Sequence, residues 1–335
     1  AQRSTSVTGL GATAGYFGLD RWKTDFSSTA GRLTLTQDSS VPTGEGFFDS
    51  LKVACTTADT SIAAGEQFTI EQMIEAQNCQ VISKGTSGAK PLTLSFYCKA
   101  NANATYVVEL YAQDVDRRIS SLFNVTTDWT RVTVTFPADT TGEIADDNGI
   151  GIKVSWWLHA GSNYSGGTLQ TTWAAAADNT RATGGDSFFD STSRTFFLTG
   201  CQLEVGQNAT TFEHEPFERT LLKCKRYLQV YNSYGASYAH FPSLGQGNAS
   251  SINWNHELPT QMRDTPTLET SGDWRVQDTY GGSYYTLSSI SISSGDSTDK
   301  LVRGSATTSS AIGTDIGRIL SYGDSSARWT YKSEL

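Results

Sequence analysis

The sequence predicts an all-β protein. It reads as an N-terminal β-sandwich over residues 1–213, a short connecting helix over 214–228, and a smaller β-sandwich-like domain over 229–335. Three observations predict this. Apolar and polar residues alternate with period two along most of the chain, the mark of half-buried strands. Turn residues interrupt that alternation at short intervals. One segment alone, past the middle, carries a clear helical period. The length of 335 residues agrees, since about 100–200 residues per domain predicts two domains.

The elements follow in order. Residues 1–30 mix turn residues with the cluster Asp20-Arg21-Trp22. Leu92, Leu94, Phe96 and Cys98 then alternate with Thr93, Ser95, Tyr97 and Lys99, and Val132, Val134 and Phe136 alternate with threonines. Ile150, Ile152, Val154, Trp156 and Leu158 form the longest alternating set, while Thr195 to Val205 is apolar on both faces and reads as a central strand. Val41-Pro42-Thr43-Gly44, Lys84-Gly85, Asp147-Asn148-Gly149, Gly166-Gly167 and Gly184-Gly185 mark turns. Residues 68–76 carry two patterns. Thr69-Ile70-Glu71-Gln72 resembles a capping box, but Phe68, Ile70, Gln72, Ile74 and Ala76 alternate, and the strand is preferred.

In the helical segment Pro216 suits the first turn, where its missing N–H costs nothing. Glu215 and Glu218 lie toward the positive end of the helix dipole, and Lys223, Lys225 and Arg226 toward the negative end. Phe217, Leu221, Leu222, Cys224 and Leu228 give one apolar face. Strand character then returns at Trp274-Arg275-Val276, Tyr284-Tyr285-Thr286-Leu287, Ile290-Ser291-Ile292 and Ile319-Leu320. Gly281-Gly282, Gly295-Asp296 and Gly323-Asp324 supply the turns.

Composition excludes several classes. Aromatics at 11% argue against disorder. No run approaches the ~18 apolar residues of a membrane span, so no membrane insertion is expected. The net charge of −9 leaves no basic stripe, so no nucleic-acid partner is expected. The five cysteines are odd in number, widely spaced and without a C-x-x-C pair. They read as unbridged, mostly buried thiols of a protein made in a reducing cytosol, with no zinc site.

Catalytic patterns are absent too. No G-x-S-x-G, G-x-x-x-x-G-K-[ST] or H-E-x-x-H occurs. Of the four histidines (His159, His214, His240, His256) none has a histidine partner at i+4. Carboxylate pairs such as Asp114/Asp116 or Asp186/Asp190 could serve a glycosidase, but any acidic, loop-rich chain offers as many. Asp146-Asp147-Asn148-Gly149 hints at a calcium loop yet stops short of an EF-hand, and a turn is preferred. No catalytic residue, metal or cofactor is expected.

Aromatic residues are the more informative signal. Trp156 and Trp157 are adjacent on a strand and so face opposite sides of the sheet. Exposed aromatic rings stack on the apolar faces of sugars while neighbouring polar groups bind the hydroxyls. On that chemistry Trp157, Tyr164 and Trp173 in the first domain and Trp274 and Tyr284 in the second are the candidate sugar contacts. Packing between subunits is the competing use of such rings, as it is for Tyr227, Tyr231, Tyr234 and Tyr238.

Several stretches together resemble bacteriophage virion fibre proteins. Ala1-Gln2-Arg3-Ser4-Thr5-Ser6 followed by Leu19-Asp20-Arg21-Trp22 is similar to the family's start, and Leu94-Ser95-Phe96-Tyr97-Cys98-Lys99-Ala100 to its L-S-F-W-x-K-A strand. Gly200 to Glu213 is similar to its Q-L-E-x-G-x-x-A-T-x-F-E signature. Cys224-Lys225-Arg226-Tyr227, Gln261-Met262-Arg263-Asp264-Thr265-Pro266-Thr267 and Ser333-Glu334-Leu335 resemble its C-x-R-Y, M-R-x-x-P-T and terminal A-E-L. Two departures stand out. Tyr97-Cys98 replaces the usual W-x, and the family's Asn-Gly-rich first strand is not seen before Gln2, so that it is either missing or belongs to an upstream region.

The resemblance implies a jelly roll similar to carbohydrate-binding modules, then a helix and a C-terminal β domain. It implies a fibre, spike or decoration of the virion, usually trimeric and without catalytic residues. The expected function is therefore a non-enzymatic tail fibre or head-attached spike, made in the host cytoplasm, that contacts host surface polysaccharide. Its expected partners are copies of itself in a homotrimer and other capsid or tail proteins. The trimer would bury Phe217, Leu221, Leu222, Leu228, Tyr227 and Tyr231. Capsid decoration without a receptor role, a polysaccharide-degrading tailspike-like enzyme and a cellular sugar-binding monomer are the alternatives. Within the signature, Gln202 and Glu204 alternate with Cys201, Leu203 and Val205, and Phe212 is expected to plug the junction between sandwich and helix.

Overall fold

The computed structural model describes residues 3–232, 236–238, 240–248, 250–278, 283–310 and 316–335. Tyr234 and the Gly281-Gly282 turn lie outside the described residues. The chain is all-β and divides into two compact units, one running to Glu215 and one from Pro216 to Glu334.

The first unit contains β1 (Ser6–Leu10), β2 (Trp22–Ser27), β3 (Arg32–Asp38), β4 (Ser50–Thr57), β5 (Gln67–Glu75), β6 (Leu92–Ala100), β7 (Ala104–Ala112), β8 (Arg117–Val125), β9 (Thr130–Phe136), β10 (Ile150–Ala160), β11 (Ala174–Ala175) and β12 (Thr195–Val205), with a one-turn helix α1 (Ser162–Ser165). They form two six-stranded antiparallel sheets, β1-β3-β4-β12-β6-β9 and β11-β8-β7-β10-β5-β2, the layers of a jelly-roll sandwich. The alternation sets this arrangement. Phe96 of the first sheet meets Phe123 and Trp156 of the second edge-to-face at 5.1 and 5.6 Å, a favoured aromatic geometry. Strand β12, apolar on both faces, lies inside its sheet between β4 and β6. The ambiguous stretch is strand β5 through Glu75 and a 3-10 turn from Ala76. Asp147 accepts the N–H of Gly149, a simple turn.

The signature that ends this unit is a clamp. Its outward side chains fold the following residues back along the strand. Gln202 accepts the N–H of Glu213 at 2.8 Å, and Glu204 accepts the N–H of Thr210 at 3.0 Å. Phe212 then packs on Phe47 and His214, each with ring centroids 4.9 Å away, and Phe47 sits edge-on to Tyr97. Phe212 is half-buried against Phe47, because the clamp returns it to the first sheet.

The second unit opens with α2 (Phe217–Lys225), followed by β13 (Leu228–Asn232), β14 (His240–Asn248), β15 (Ser251–Glu257), β16 (Thr267–Ser271), β17 (Trp274–Asp278), β18 (Tyr284–Ile292), β19 (Leu301–Thr308), β20 (Ile316–Ser321) and β21 (Arg328–Lys332). The helix is shorter than the predicted 214–228. Pro216 precedes its first turn, and Leu228 already pairs with Lys332 in a strand. Six strands close into a barrel, β14-β15-β19-β18-β17-β20, and β13-β21-β16 form a separate three-stranded sheet. The main sheet of the domain expected as sandwich-like is thus a closed barrel without an edge strand. Trp254 and Trp274 from the barrel both pack on Trp329 of β21, at 4.9 and 5.7 Å. Gly304 allows the close approach, since a Cβ there would collide with the Ser291 carbonyl and the Trp254 ring.

All five cysteines are thiols. Burial pushes Cys79 and Cys98 up to about 12, which leaves them protonated and unreactive.

His256 is 6% exposed, with its Nδ1 3.1 Å from the Tyr331 hydroxyl and its ring 4.6 Å from Tyr231. Burial lowers its pKa to about 4. The unfolded chain therefore binds a proton below about pH 6.5 that the folded unit refuses. Stability from this group is full above that pH and falls as the pH drops toward 4. At pH 4.5 the loss is about 2 kcal/mol. Denaturant titrations at pH 7 and 4.5 should show His256→Gln losing that much less than wild type. Equal acid losses in the two proteins would rule this out.

Candidate functional site

The face of the second sheet turned away from the core is built in register. Lys23, Glu71, Ser155, Glu109 and Ser120 are successive partners across β2, β5, β10, β7 and β8. Beside them runs the row Asp25, Thr69, Trp157, Val107 and Leu122, and on the other side Met73, Lys153, Tyr111 and Arg118. In a solvated sheet such residues would be exposed, but Glu71, Glu109 and Ser155 are each 1% exposed or less. The cover is the segment after β10. It folds back through hydrogen bonds from Gly167 to Asn179 and from Gln170 to Thr180, and the Ser120 N–H pins it at Gln170.

Arg181 carries the cover onto the sheet. Its guanidinium donates to both Glu109 oxygens at 3.0 and 2.7 Å and lies 4.4 Å from the Trp157 ring centre. Burial opposes the arginine's charge, but Glu109 outweighs it and the pKa is raised. Lys153, Ser155 and Thr69 all donate to one oxygen of Glu71, at 3.0, 3.3 and 3.1 Å. Burial and the Glu71 charge together raise the pKa of Asp25. This face is a paired charge lattice under a lid.

The candidate sugar contacts of the first unit are placed accordingly. Trp157 does face away from the core, opposite Trp156, but it is 2% exposed beneath Arg181 and 5.4 Å from Tyr164. It presents no ring to a sugar, which corrects that expectation. Tyr164 is half-buried beside it. Trp173 is half-buried at the sheet edge, donating its indole N–H to Pro137 at 2.8 Å with the Lys84 ammonium 5.5 Å from its ring. The carboxylates that could have served a glycosidase are engaged locally. Asp114 accepts the N–H of Ala145, Asp116 the Tyr111 hydroxyl, Asp186 the N–H of Thr105, and Asp190 pairs with Arg194.

In the second unit Trp274 is buried, with its indole N–H bonded to Ser271, so it too is a core residue and not a platform. Leu228 and Tyr227 are buried and Tyr231 is half-buried on His256 and Tyr331, so the expected interface does not continue past the helix. Phe217 and Leu222, by contrast, are 73% and 58% exposed, and Leu221 is half-buried.

Tyr284 is exposed, and it has company that sequence reasoning did not assemble. Tyr322 lies 4.7 Å from Tyr284 and 5.4 Å from the exposed Tyr238. The Arg275 guanidinium stacks 3.6 Å over Tyr322, held by Asp273 at 2.9 Å. The Gln277 amide donates to the Tyr284 hydroxyl at 3.2 Å. Gln277 and Tyr284 are cross-strand partners on β17 and β18, and Tyr322 follows β20, so barrel closure brings the rings together. On the same unit a polar cavity of about 520 Å³ is lined by Asn253, Asn255, Ser293, Asp296, Arg303 and Ser305.

A second unforeseen grouping lies in the first unit. Asp59, Glu66 and His159 are buried, with ligand-type atoms all within 4.8 Å of one another. Nothing in their spacing signals it, since strand order alone unites them.

No protein-family model matches the chain, and no curated protein sequence matches it. Among solved structures, it is similar to the enzymatically active domain of tailspike protein 4 of bacteriophage CBA120, at 11% identity and a TM-score of 0.31. That match takes in 55% of this chain and 19% of the tailspike chain. A CBM4 structure is similar at 12% identity over 61% of this chain and 97% of its own, with a TM-score of 0.31. The family 11 carbohydrate-binding module from Clostridium thermocellum is similar at 9% identity over 60% of this chain and all of its own (100%), TM-score 0.31. At such identities and scores none carries an argument about what this chain binds.

The ion pair under the lid is testable. Arg181→Met leaves Glu109 buried and uncompensated, at an expected cost of about 3–5 kcal/mol in denaturant unfolding. Adding Glu109→Leu to it should recover most of that loss. If the double variant is no more stable than the single one, Arg181 does not act through Glu109.

Proposed function

We propose that the chain is a non-catalytic, glycan-contacting part of a bacteriophage virion, a fibre or spike, and that its sugar contact is the tyrosine wall of the barrel. The observation that carries this reading is the grouping of the exposed Tyr238 and Tyr284 around the half-buried Tyr322, with Arg275 and Gln277. Aromatic faces offer apolar area to a sugar ring, and an amide and a guanidinium beside them bind hydroxyls. The motif series from Leu94 to Leu335 supports the virion assignment. The locally engaged carboxylates favour binding over hydrolysis.

Assembly belongs to the same reading. Phe217 and Leu222 offer an apolar helix face to other copies, and a trimer would multiply a weak single-site affinity. The polar cavity on β15 and β19 extends the surface available to a polysaccharide. A capsid-decorating role would use the same helix but leave the tyrosines without work.

Tyr284→Ala with Tyr322→Ala should weaken adsorption to host cells or isolated surface polysaccharide by roughly two- to tenfold per ring. Light scattering of the same variant should still show the wild-type oligomer mass. Unchanged adsorption would remove the tyrosines from the contact. New reducing ends from incubated polysaccharide would overturn the non-catalytic reading, and a mass of 36.2 kDa would overturn self-association.

A further inference from the structure

Asp59, Glu66 and His159 converge from three places in the first unit: just past β4, just before β5, and the end of β10. They are 6%, 4% and 1% exposed. A solvated acidic patch would not look like this. Two carboxyl groups and an imidazole are enclosed together, each taken out of water at a cost that only a counter-charge or a shared proton offsets.

The donors are oriented. One oxygen of Asp59 is held by the Thr29 hydroxyl at 3.0 Å and the Ala30 N–H at 2.7 Å. One nitrogen of His159, Nδ1, is 2.8 Å from the Ser187 hydroxyl, and the other, Nε2, is 3.1 Å from Glu66. The Ser187 hydroxyl also accepts the N–H of Phe189. A metal-bound histidine is commonly fixed in this way, by an outer partner on its second nitrogen. Phe189 packs edge-on to the imidazole at 5.3 Å and walls the group from solvent.

We infer that Asp59, Glu66 and His159 bind a divalent transition-metal ion, with zinc the best fit. Two carboxylates and one neutral imidazole exactly offset a 2+ charge. One nitrogen and two oxygens form a mixed set that zinc accepts. Calcium prefers six to eight oxygens and has no use for the imidazole. Such an ion would join segments of both sheets at one end of the sandwich, so its role is structural.

The test uses the whole chain, purified without a histidine tag. After dialysis against zinc and then buffer, elemental analysis should find one zinc per chain. The thermal midpoint should rise on adding zinc and return on adding EDTA. Glu66→Gln keeps the shape and hydrogen bonding of the group but loses an anion. It should fold like the metal-free protein and lose both the retained zinc and the shift. Asp59→Asn serves as the second variant if Glu66→Gln does not fold. No zinc retained by wild type, with a midpoint indifferent to zinc and EDTA, would overturn the site and leave a proton-sharing carboxyl pair. Equal zinc retention by both variants would place the ion on the cysteines or elsewhere. A midpoint raised by calcium and not by zinc would overturn the donor argument.

Discussion

The ion pair between Arg181 and Glu109 decides how the first unit is built. A sandwich needs each sheet to bury one face, and the other face is normally left to water. Here the segment after β10 covers part of that second face, and the charges beneath it cannot be solvated. A buried carboxylate without a partner costs several kcal/mol, so Glu109 requires a cation that enters with the lid. Arg181 meets that demand in two hydrogen bonds and lays its flat guanidinium on Trp157. The lid, the lattice and the loss of Trp157 as a binding platform are one consequence.

The sequence made the core faces legible and left the rest obscure for identifiable reasons. Phe96, Cys98, Val154 and Trp156 announce themselves because burial on one face forces period two. Glu71, Glu109 and Ser155 carry the polar half of the same pattern, which is identical whether that face meets water or a lid. Whether it is covered depends on residues 161–182, which have no periodicity. The short helix shows a related limit. Its apolar period runs on to Leu228, but Leu228 finds a better partner in Lys332 and becomes strand. Closure of the barrel is invisible for the same reason, since alternation identifies an inner face but not which edges meet. The grouping of Asp59 and Glu66 with His159 requires the strand order itself.

The aromatic residues divide between core and surface. Two of the indoles foreseen as platforms find a carbonyl for their single donor, Trp274 at Ser271 and Trp173 at Pro137, while Trp157 is buried beneath Arg181 with no hydrogen-bond partner for its N–H. Tyrosine brings a hydroxyl that both donates and accepts, and its burial demands more. Tyr331 satisfies that demand with His256 and is interior. Tyr284 on β18 and Tyr238 in the turn before β14 remain exposed. Residue type alone does not sort them, since Tyr97, Tyr106 and Tyr227 are also buried and Trp173 is half-buried; the sugar contact proposed for this protein rests on the tyrosines that the barrel unit leaves exposed.

Helix α2 poses the remaining energetic question. It has nine residues, and isolated helices below about 12–15 residues are marginal in water. Helices of this length persist because tertiary packing holds an amphipathic face. Within the described residues none of α2 is buried, and Phe217 and Leu222 stand largely in solvent. Lys223 and Lys225 near its C-terminal end and Glu218 near its start favour the helix dipole, but at a few tenths of a kcal/mol each they do not replace packing. A surface that covers the apolar stripe would provide it. Copies of the same chain meet that need symmetrically, because each would bring an identical stripe to a common axis. The proposed assembly therefore answers a stability requirement of the helix as well as an affinity requirement of the sugar contact.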